Sequence, residues 1–359
     1  AAAVAPTGKT VRVRVEARDM RFTPNRIEAA AGDRVLIDLV NTDPATPHDL
    51  AIAGLRTDRL APGQSATLDL GVVSASTQGW CTVVGHRQMG MVLDLVVAGA
   101  PAQTAPAAST GTPGMGMPGH TMPASAAPLG RTVDASTSPS VERVHKLTLR
   151  VTEVALEVAP GVWQKRWTYN GSGVGPTLRG RVGDAFDITL VNDGTMGHSI
   201  DFHAGELAPD QPMRTIAPGA SLEYRFTATH SGVWLYHCST MPMSAHIAAG
   251  MHGAVIIEPP QGLPGVDREY VLVQSEVYLA SAATAAGTAA GAAEVDADAV
   301  TAQAPTYVVF NGIANQYDQR PLAARVGERV RLWVLDAGPN RATSFHVVGG
   351  QFDTVYSEG

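Results

Sequence analysis

A segment of about 20 residues occurs three times in this chain, and this repeat constrains the fold more than any other feature. The copies are "AGDRVLIDLVNTDPATPHDLAI" at 31–52, "VGDAFDITLVNDGTMGHSIDF" at 182–202 and "VGERVRLWVLDAGPNRATSFHVV" at 326–348. Each has a Gly-containing turn, an alternating apolar and polar stretch, a polar loop and then a histidine. Alternation with a period of two indicates β-strands, and short strands between Gly/Pro turns are typical of β-sandwiches. The sequence therefore predicts an all-β protein of three tandem sandwiches.

The first two copies continue into matching second halves. "LAPGQSATLDL" at 60–70 matches "IAPGASLEYRF" at 216–226, and each leads to a Trp-containing strand and a cysteine. The third copy stops before such a turn, and a sandwich without its closing strands would expose a sheet edge. We therefore expect the third domain to be incomplete in this sequence, and the natural chain to extend about 70–90 residues past Gly359, as ordinary domain sizes require.

Composition shifts along the chain predict its domain boundaries. The sandwiches are expected at 1–100, 142–262 and 263–359. Residues 101–141 are dominated by Pro, Ala, Ser, Gly and Met, which indicates a linker.

Charge and hydropathy exclude two classes of partner. The net charge is −7, whereas binding the phosphates of a nucleic acid needs a basic face. No apolar run reaches the roughly 18 residues of a membrane span. The start, "AAAVAPTGKT", is typical of a processed N-terminus. We expect an exported, periplasmic or otherwise extracytoplasmic protein, free or anchored through a segment absent from this sequence.

The two cysteines stand in matching contexts, which argues against the simple alternative of a disulfide. Each is followed by a histidine and a methionine, and each is preceded by the histidine of a repeat. A thiolate, two imidazoles and a weak thioether form the ligand set of a type 1 copper site. The sequence therefore predicts two such sites, the alternative being buried thiols with incidental neighbours. The first is His48, Cys81, His86 and Met91, and the second is His198, Cys238, His246 and Met251. Met89 competes with Met91, which we prefer because it begins the strand "MVLDLVV".

The second repeat carries two additional histidines. His237 precedes Cys238 directly, and neighbouring side chains of a strand face opposite sides. His203 follows His198 by five residues, so on a strand these two imidazoles also face opposite sides. We therefore expect His203 and His237 to share a second copper, joined to the first through one covalent bond path. The first repeat has no counterpart of this pair.

These motifs resemble those of the copper-containing nitrite reductases. The resemblance covers residues from about 140 to 359 and rests on "GHSIDFH", "YHCSTMPMSAHIAAGMHGAVIIEP", "YVVFNG" and "FHVVGGQFDTV". Residues 1–100 resemble an additional blue-copper domain, which some members carry at the N-terminus. The resemblance implies tandem cupredoxin-like Greek-key β-sandwiches that hold two type 1 coppers and one type 2 copper per chain.

The resemblance also implies roles for individual residues. His203 and His237 match two type 2 copper ligands, and Asp201 matches an aspartate that hydrogen-bonds nitrite and relays protons. His346 matches a catalytic histidine beside that copper, and Val348 matches a position that shapes the nitrite pocket. The alternatives are a solvated strand carboxylate for Asp201 and a repeat histidine without copper for His346.

The implied reaction is the one-electron reduction of nitrite to nitric oxide, with an external donor such as a small redox protein. The implied assembly is a homotrimer with the type 2 copper at the subunit interface, whose third ligand is a histidine of the neighbouring subunit at a position past Gly359. The extra blue-copper domain would admit electrons, within or between subunits.

Two other functions are alternatives to nitrite reduction. A multicopper oxidase of laccase or ferroxidase type would use oxygen, but it needs H-x-H pairs and an H-C-H motif. This chain has H-x4-H and "HCS" instead. An electron carrier or copper store would leave Asp201, His203 and His237 without a purpose.

Overall fold

The computed structural model describes residues 5–83, 86–87, 89–98, 143–208, 211–280 and 289–356. The chain divides into two compact units, residues 1–127 and 128–359. The predicted linker at 101–141 lies outside the described residues.

The first unit is a sandwich of two sheets. Its strands are β1 (Thr10–Arg18), β2 (Arg21–Thr23), β3 (Arg26–Ala30), β4 (Arg34–Asn41), β5 (Ala51–Ile52), β6 (Leu55–Arg56), β7 (Ser65–Val72), β8 (Thr77–Trp80) and β9 (Val92–Ala98). The sheet orders are β2-β1-β4-β7 and β3-β9-β8-β5-β6. In β4 every second residue is buried, among them Val35, Ile37 and Leu39, so one face of the strand forms the core.

The second unit begins with a sandwich of the same plan. Its strands are β10 (Val144–Ala159), β11 (Val162–Tyr169), β12 (Leu178–Arg181), β13 (Ala185–Asn192), β14 (Asp201–Phe202), β15 (Ser221–Thr227), β16 (Gly232–His237) and β17 (His252–Glu258), with helix α1 (Met243–Ala248). The sheet orders are β11-β10-β13-β15 and β12-β17-β16-β14. As in the first unit, the first long strand pairs in parallel with the strand of the repeat segment.

The third repeat contributes a three-stranded sheet to the second unit. Its strands β18 (Arg268–Val277), β19 (Tyr307–Phe310) and β20 (Val330–Asp336) are ordered β19-β18-β20, with helices α2 (Ala297–Thr301) and α3 (Gln316–Gln319) nearby in sequence. Ala254 and Ile256 of β17 share one apolar cluster with Val271 and Val273 of β18. This shared core joins the second and third repeats.

The all-β prediction of tandem sandwiches is therefore confirmed. Within the described residues the helices are all short, and none is long and apolar enough to cross a membrane.

Candidate metal centres

The first unit brings one thiol and two imidazoles together. Cys81 follows β8 directly, and His48 is held by an isolated bridge to Leu60. The His86 Nδ1 atom lies 3.4 Å from Cys81 Sγ and 3.2 Å from His48 Nδ1. The His48 Nδ1 atom lies 3.9 Å from Cys81 Sγ. All three side chains are almost fully buried.

Met91 ends the loop that begins at Cys81 and contains His86. Its backbone N–H donates to His86 O at 3.0 Å, and its carbonyl accepts from Cys81 N at 3.1 Å. Met91 is 0% exposed whereas Met89 is 38% exposed. Burial beside the cluster favours Met91 over Met89 as the thioether of the site.

The second unit repeats this arrangement. Cys238 follows β16 directly, His198 is bridged to Ile216, and His246 lies on α1. The distance from Cys238 Sγ to His246 Nδ1 is 3.3 Å, and the three ligand atoms lie within 4.8 Å of one another. The buried Met251 makes the same two backbone hydrogen bonds as Met91, to His246 and Cys238.

A third cluster consists of Asp201, His203 and His237, and it lies at the end of β16 beside the Cys238 cluster. The Nε2 atoms of His203 and His237 are 3.1 Å apart, and each lies 3.7 Å from Asp201 Oδ2. Asp201 faces His237 directly in the β14–β16 register. His203 is about half exposed, with 45% of its side chain accessible, whereas His237 is 6% exposed. The cluster is therefore open to solvent on the His203 side.

The two cysteine clusters fit a trigonal metal ion. Bonds of about 2.0–2.3 Å in a trigonal plane place ligand atoms roughly 3.5–4.0 Å apart. The separations of 3.2–3.9 Å at Cys81 are close to this range. In the second cluster both ring nitrogens of the buried His198 lack a hydrogen-bond partner. A buried polar atom without a partner costs free energy, which a metal bond would offset.

Comparisons with known proteins agree with this donor chemistry. A family model described as "Cupredoxin-like domain" matches residues 1–77, and one described as "Multicopper oxidase" matches residues 150–262. The chain is 36% identical over 229 residues to a copper-containing nitrite reductase of Neisseria gonorrhoeae, covering 62% of this chain and 57% of that protein. It is 34% identical to one of Alcaligenes xylosoxydans, covering 55% of this chain and 64% of that protein.

The chain is therefore similar to copper-containing nitrite reductases over 55–62% of its own length. A solved structure of a Cu-containing nitrite reductase from Thermus scotoductus is also similar, with 28% identity and a TM-score of 0.51. That similarity covers 58% of this chain and 47% of the Thermus chain. The chain thus spans 57–64% of the length of these curated nitrite reductases.

Four of the candidate ligand imidazoles are held neutral, as metal binding requires, namely those of His48, His198, His203 and His246. Burial lowers the pKa of His48 and of His198, and it lowers the pKa of His246 to about 3. Burial, and then the neighbouring His237, lower the pKa of His203. Neutral rings keep a lone pair available for a metal at pH 7.

The two thiols have different surroundings. Burial raises the pKa of Cys81 to about 12, and the charge of Asp49 adds to the effect. Burial also opposes ionisation of Cys238, but the proximity of His198 and the backbone N–H of Ser199 outweigh it and lower the pKa of that thiol. The thiolate form is therefore better stabilised at Cys238 than at Cys81.

One local expectation about His203 is wrong. The argument from opposite strand faces needs a strand from His198 to His203, but β14 contains only Asp201 and Phe202. His203 is the first residue of a short 3-10 helix over residues 203–205, which follows the end of β14. That turn, rather than strand alternation, carries the imidazole away from His198 and toward His237.

His346 and Val348 are not brought to the third cluster within one chain. Both lie in the exposed segment after β20, and Val348 is 91% exposed. Among the described residues, no hydrogen bond or ion pair joins His346 to Asp201, His203 or His237. Their predicted roles in catalysis stay predictions.

Sequence reasoning missed residues that support the ligands. The Trp167 ring packs edge-on against His246 and His198, at centroid distances of 4.7 and 5.7 Å. Asp43 and Arg166 are also buried beside the ligand loops. The strand "WQKRWTY" (163–169) contains two adjacent cations, and the sequence does not tell that Arg166 rather than Lys165 is the buried one.

Proposed function

We propose that this protein reduces nitrite to nitric oxide at the Asp201–His203–His237 cluster, with electrons arriving through Cys238. The observation that carries the proposal is that His237 and Cys238 are consecutive but belong to different clusters. Electrons can then pass between two metal sites along one short covalent path. The similarity to nitrite reductases supports nitrite as the substrate.

The reaction consumes one nitrite, one electron and two protons, and it yields nitric oxide and water. Copper is proposed at all three clusters, two type 1 sites and one type 2 site per chain, and it would supply the redox chemistry and an open position for the anion.

The side chains of the third cluster provide the rest of the chemistry. The ring N–H of His237 Nδ1 donates to Cys238 O at 3.0 Å, which leaves Nε2 with its lone pair toward His203. The Asp201 carboxyl, 3.7 Å from both Nε2 atoms, is placed to hold a proton beside a bound anion. The exposed side of His203 gives nitrite an entrance.

Other features of the proposal depend on an assembly. His346 is exposed, so it would act at the third cluster of a neighbouring copy, with Val348 shaping that pocket. We propose that the copies form a homotrimer in which a partner histidine completes the type 2 site. Two neutral imidazoles alone hold a metal weakly, which also favours a shared site.

The first unit is proposed to be an electron-entry module that receives electrons from an external redox protein. We also propose a periplasmic or otherwise extracytoplasmic location. An oxygen-using multicopper oxidase is the second candidate, because a family model of that description matches residues 150–262. Ser239 follows Cys238 where an oxidase needs a histidine, and this disfavours it.

The test is an anaerobic assay of the copper-loaded protein with nitrite and a reduced artificial donor. We expect nitric oxide from the wild type and from His230→Ala, whose histidine is 63% exposed and pairs with Glu206. We expect none from His237→Ala. Equal nitric oxide formation by His237→Ala would contradict the proposal.

A further inference from the structure

The two cysteine sites occupy equivalent places in their sandwiches, so their surroundings can be compared position by position. Asn41 Nδ2 donates to the carbonyls of Thr46 and Leu60, and Asn192 Nδ2 donates to those of Met196 and Ile216. Two residues later, the backbone N–H donates to the asparagine Oδ1 at 3.0 Å in both cases. These residues are Asp43 in the first unit and Gly194 in the second, and they are therefore equivalent.

Asp43 places a buried carboxylate against a ligand of the first site. Its Oδ2 atom lies 3.5 Å from His48 Nε2, while His48 Nδ1 faces Cys81. Backbone N–H groups of Ala45, Thr46 and Asp19 donate to this carboxylate, which holds it ionised. A carboxylate behind a metal-binding imidazole makes the ring a stronger donor to an oxidised metal.

The second site has no carboxylate at this position. Its largely buried Glu153, which would lie 3.3 Å from a Cβ at Gly194, is ion-paired with Lys165 Nζ at 3.2 Å, so a cation offsets that charge. Gly194 has no side chain, and neither ring nitrogen of His198 has a hydrogen-bond partner. The ring is held by packing instead, in edge contact with Trp167.

The residue after the repeat histidine shows a second difference in charge. The backbone N–H of Asp49 lies 3.5 Å from Cys81 Sγ, and that of Ser199 lies 3.4 Å from Cys238 Sγ. The Asp49 carboxylate accepts from Thr82 N at 2.5 Å and from Thr82 Oγ1 at 2.6 Å. Ser199 Oγ makes the corresponding bond to Ser239 N at 3.0 Å. The same contact is thus made by a buried carboxylate in one unit and by a neutral hydroxyl in the other. Arg59 Nε lies 3.7 Å from the Asp49 carboxylate and offsets part of its charge, whereas Asp43 has no such arginine or lysine partner among the described residues.

A buried cation lies beside the second site. Arg166 is 0% exposed and donates to Gln164 Oε1, to Ala248 O at 3.1 Å and to Gly173 O. Within the part of the chain that the structure describes, no ion pair is recorded for Arg166, and its Nε has no hydrogen-bond partner. A Cβ added at Gly250 would lie 2.8 Å from Arg166 Nε, so the guanidinium packs directly against the loop of ligands. Arginine stays protonated in proteins, so this charge is fixed.

We propose that these buried charges set the two cysteine sites at different reduction potentials, lower at Cys81 and higher at Cys238. Negative charge stabilises the more positive oxidised centre, and positive charge stabilises the reduced one. This order of reduction potentials rests on the copper sites of the proposed function. It adds the direction of electron transfer, from the Cys81 site to the Cys238 site. Copper held by His48, Cys81 and His86 would give up one electron and go from copper(I) to copper(II), and copper held by His198, Cys238 and His246 would take up that electron and go from copper(II) to copper(I). No atom or proton changes place.

The test is a redox titration of the copper-loaded full chain, followed by visible absorption. Cys238→Ser isolates the first site, and Cys81→Ser isolates the second. We expect the Cys81 site to be half-reduced at the lower potential, so that a single electron favours the Cys238 site by about tenfold or more. In the wild type the absorption should bleach in two steps. Equal potentials, or the reverse order, would overturn the inference, whether seen in the isolated sites or in the intact chain.

Charge variants then test the cause. Asp43→Asn and Asp49→Asn should each raise the potential of the Cys81 site, and Arg166→Gln should lower that of the Cys238 site. Asp58→Asn removes an exposed carboxylate from the same unit and should change neither potential. Arg166→Lys keeps the charge and should preserve the second potential, whereas a purely structural role would make Lys and Gln equally disruptive. Unchanged potentials in Asp43→Asn, Asp49→Asn and Arg166→Gln would refute these buried charges as the cause.

The outcome is separable from that of the nitrite assay. Ordered potentials without nitric oxide formation would leave this inference standing and refute the proposed function. Nitric oxide formation with equal or reversed potentials would refute this inference and leave the proposed function standing.

Discussion

His237 and Cys238 are consecutive in the chain, but their side chains belong to different clusters. The His237 Nε2 atom lies 3.1 Å from His203 Nε2, and the Cys238 Sγ atom lies 3.3 Å from His246 Nδ1. The strand geometry at the end of β16 produces this divergence, because neighbouring side chains point to opposite faces. The first unit has Trp80 before Cys81, so it has no such link.

Replacing His237 should therefore separate the two kinds of copper. In His237→Ala we expect the visible absorption of both thiolate sites to persist, because Cys238 and its partners are untouched. The type 2 electron paramagnetic resonance signal should be lost together with turnover. A type 2 signal at wild-type intensity would show that His237 is not a ligand.

Each cysteine should account for its own share of the visible absorption. Because both thiols lie in similar three-ligand clusters, Cys81→Ser should remove about half of the intense band, and Cys238→Ser the rest. The measurement is the absorption spectrum at equal protein concentration. Loss of none of the band in Cys81→Ser would mean that the first unit holds no type 1 copper, and loss of all of it would exclude the second site.

The two methionines of the first loop give a matched pair of variants. Met91→Gln should shift the visible band and the potential of the Cys81 site, because Met91 is fully buried against the cluster. Met89→Gln should leave both unchanged, since Met89 is 38% exposed. The spectra are recorded in the Cys238→Ser background, where one type 1 site remains. The opposite pattern would assign the thioether to Met89.

Much of this architecture was predictable because the chain repeats itself. The alternation in the repeat segments predicted the sandwiches, and the paired Cys-His-Met spacings singled out the residues that the structure brings together at Cys81 and Cys238. The route by which His203 reaches His237 was not predictable, since it depends on a turn rather than on strand periodicity. The buried charges of Asp43 and Arg166 could not be read from the sequence either, because burial of a charged residue depends on its contacts in the fold.

The metal-free protein should lose stability as the pH falls below about 6.5. Burial lowers the pKa of His246 and of His252 to about 3, so their rings are neutral in the fold. After unfolding they bind protons below about pH 6.5, so protons stabilise the unfolded chain. Their contribution is complete above pH 6.5 and is lost as the pH falls toward 3, by up to about 1.4 kcal/mol per pH unit for each ring.

Urea unfolding between pH 7 and pH 5 checks this, because in that window most carboxylates remain ionised. His252→Asn keeps a donor for Ile247 O but removes one titrating ring, so its stability should fall less steeply with pH. A wild-type unfolding free energy that is flat between pH 7 and pH 5 would contradict the buried neutral histidines.

One-electron reduction of nitrite is tested by the stoichiometry of the products. The copper-loaded full-length protein is supplied with a reduced donor, nitrite and, separately, oxygen. Donor oxidised, nitric oxide formed and oxygen consumed are then counted. We expect one nitric oxide for each electron and each nitrite, with no comparable oxygen consumption. Four-electron consumption of oxygen without nitric oxide would contradict this expectation and identify an oxidase instead.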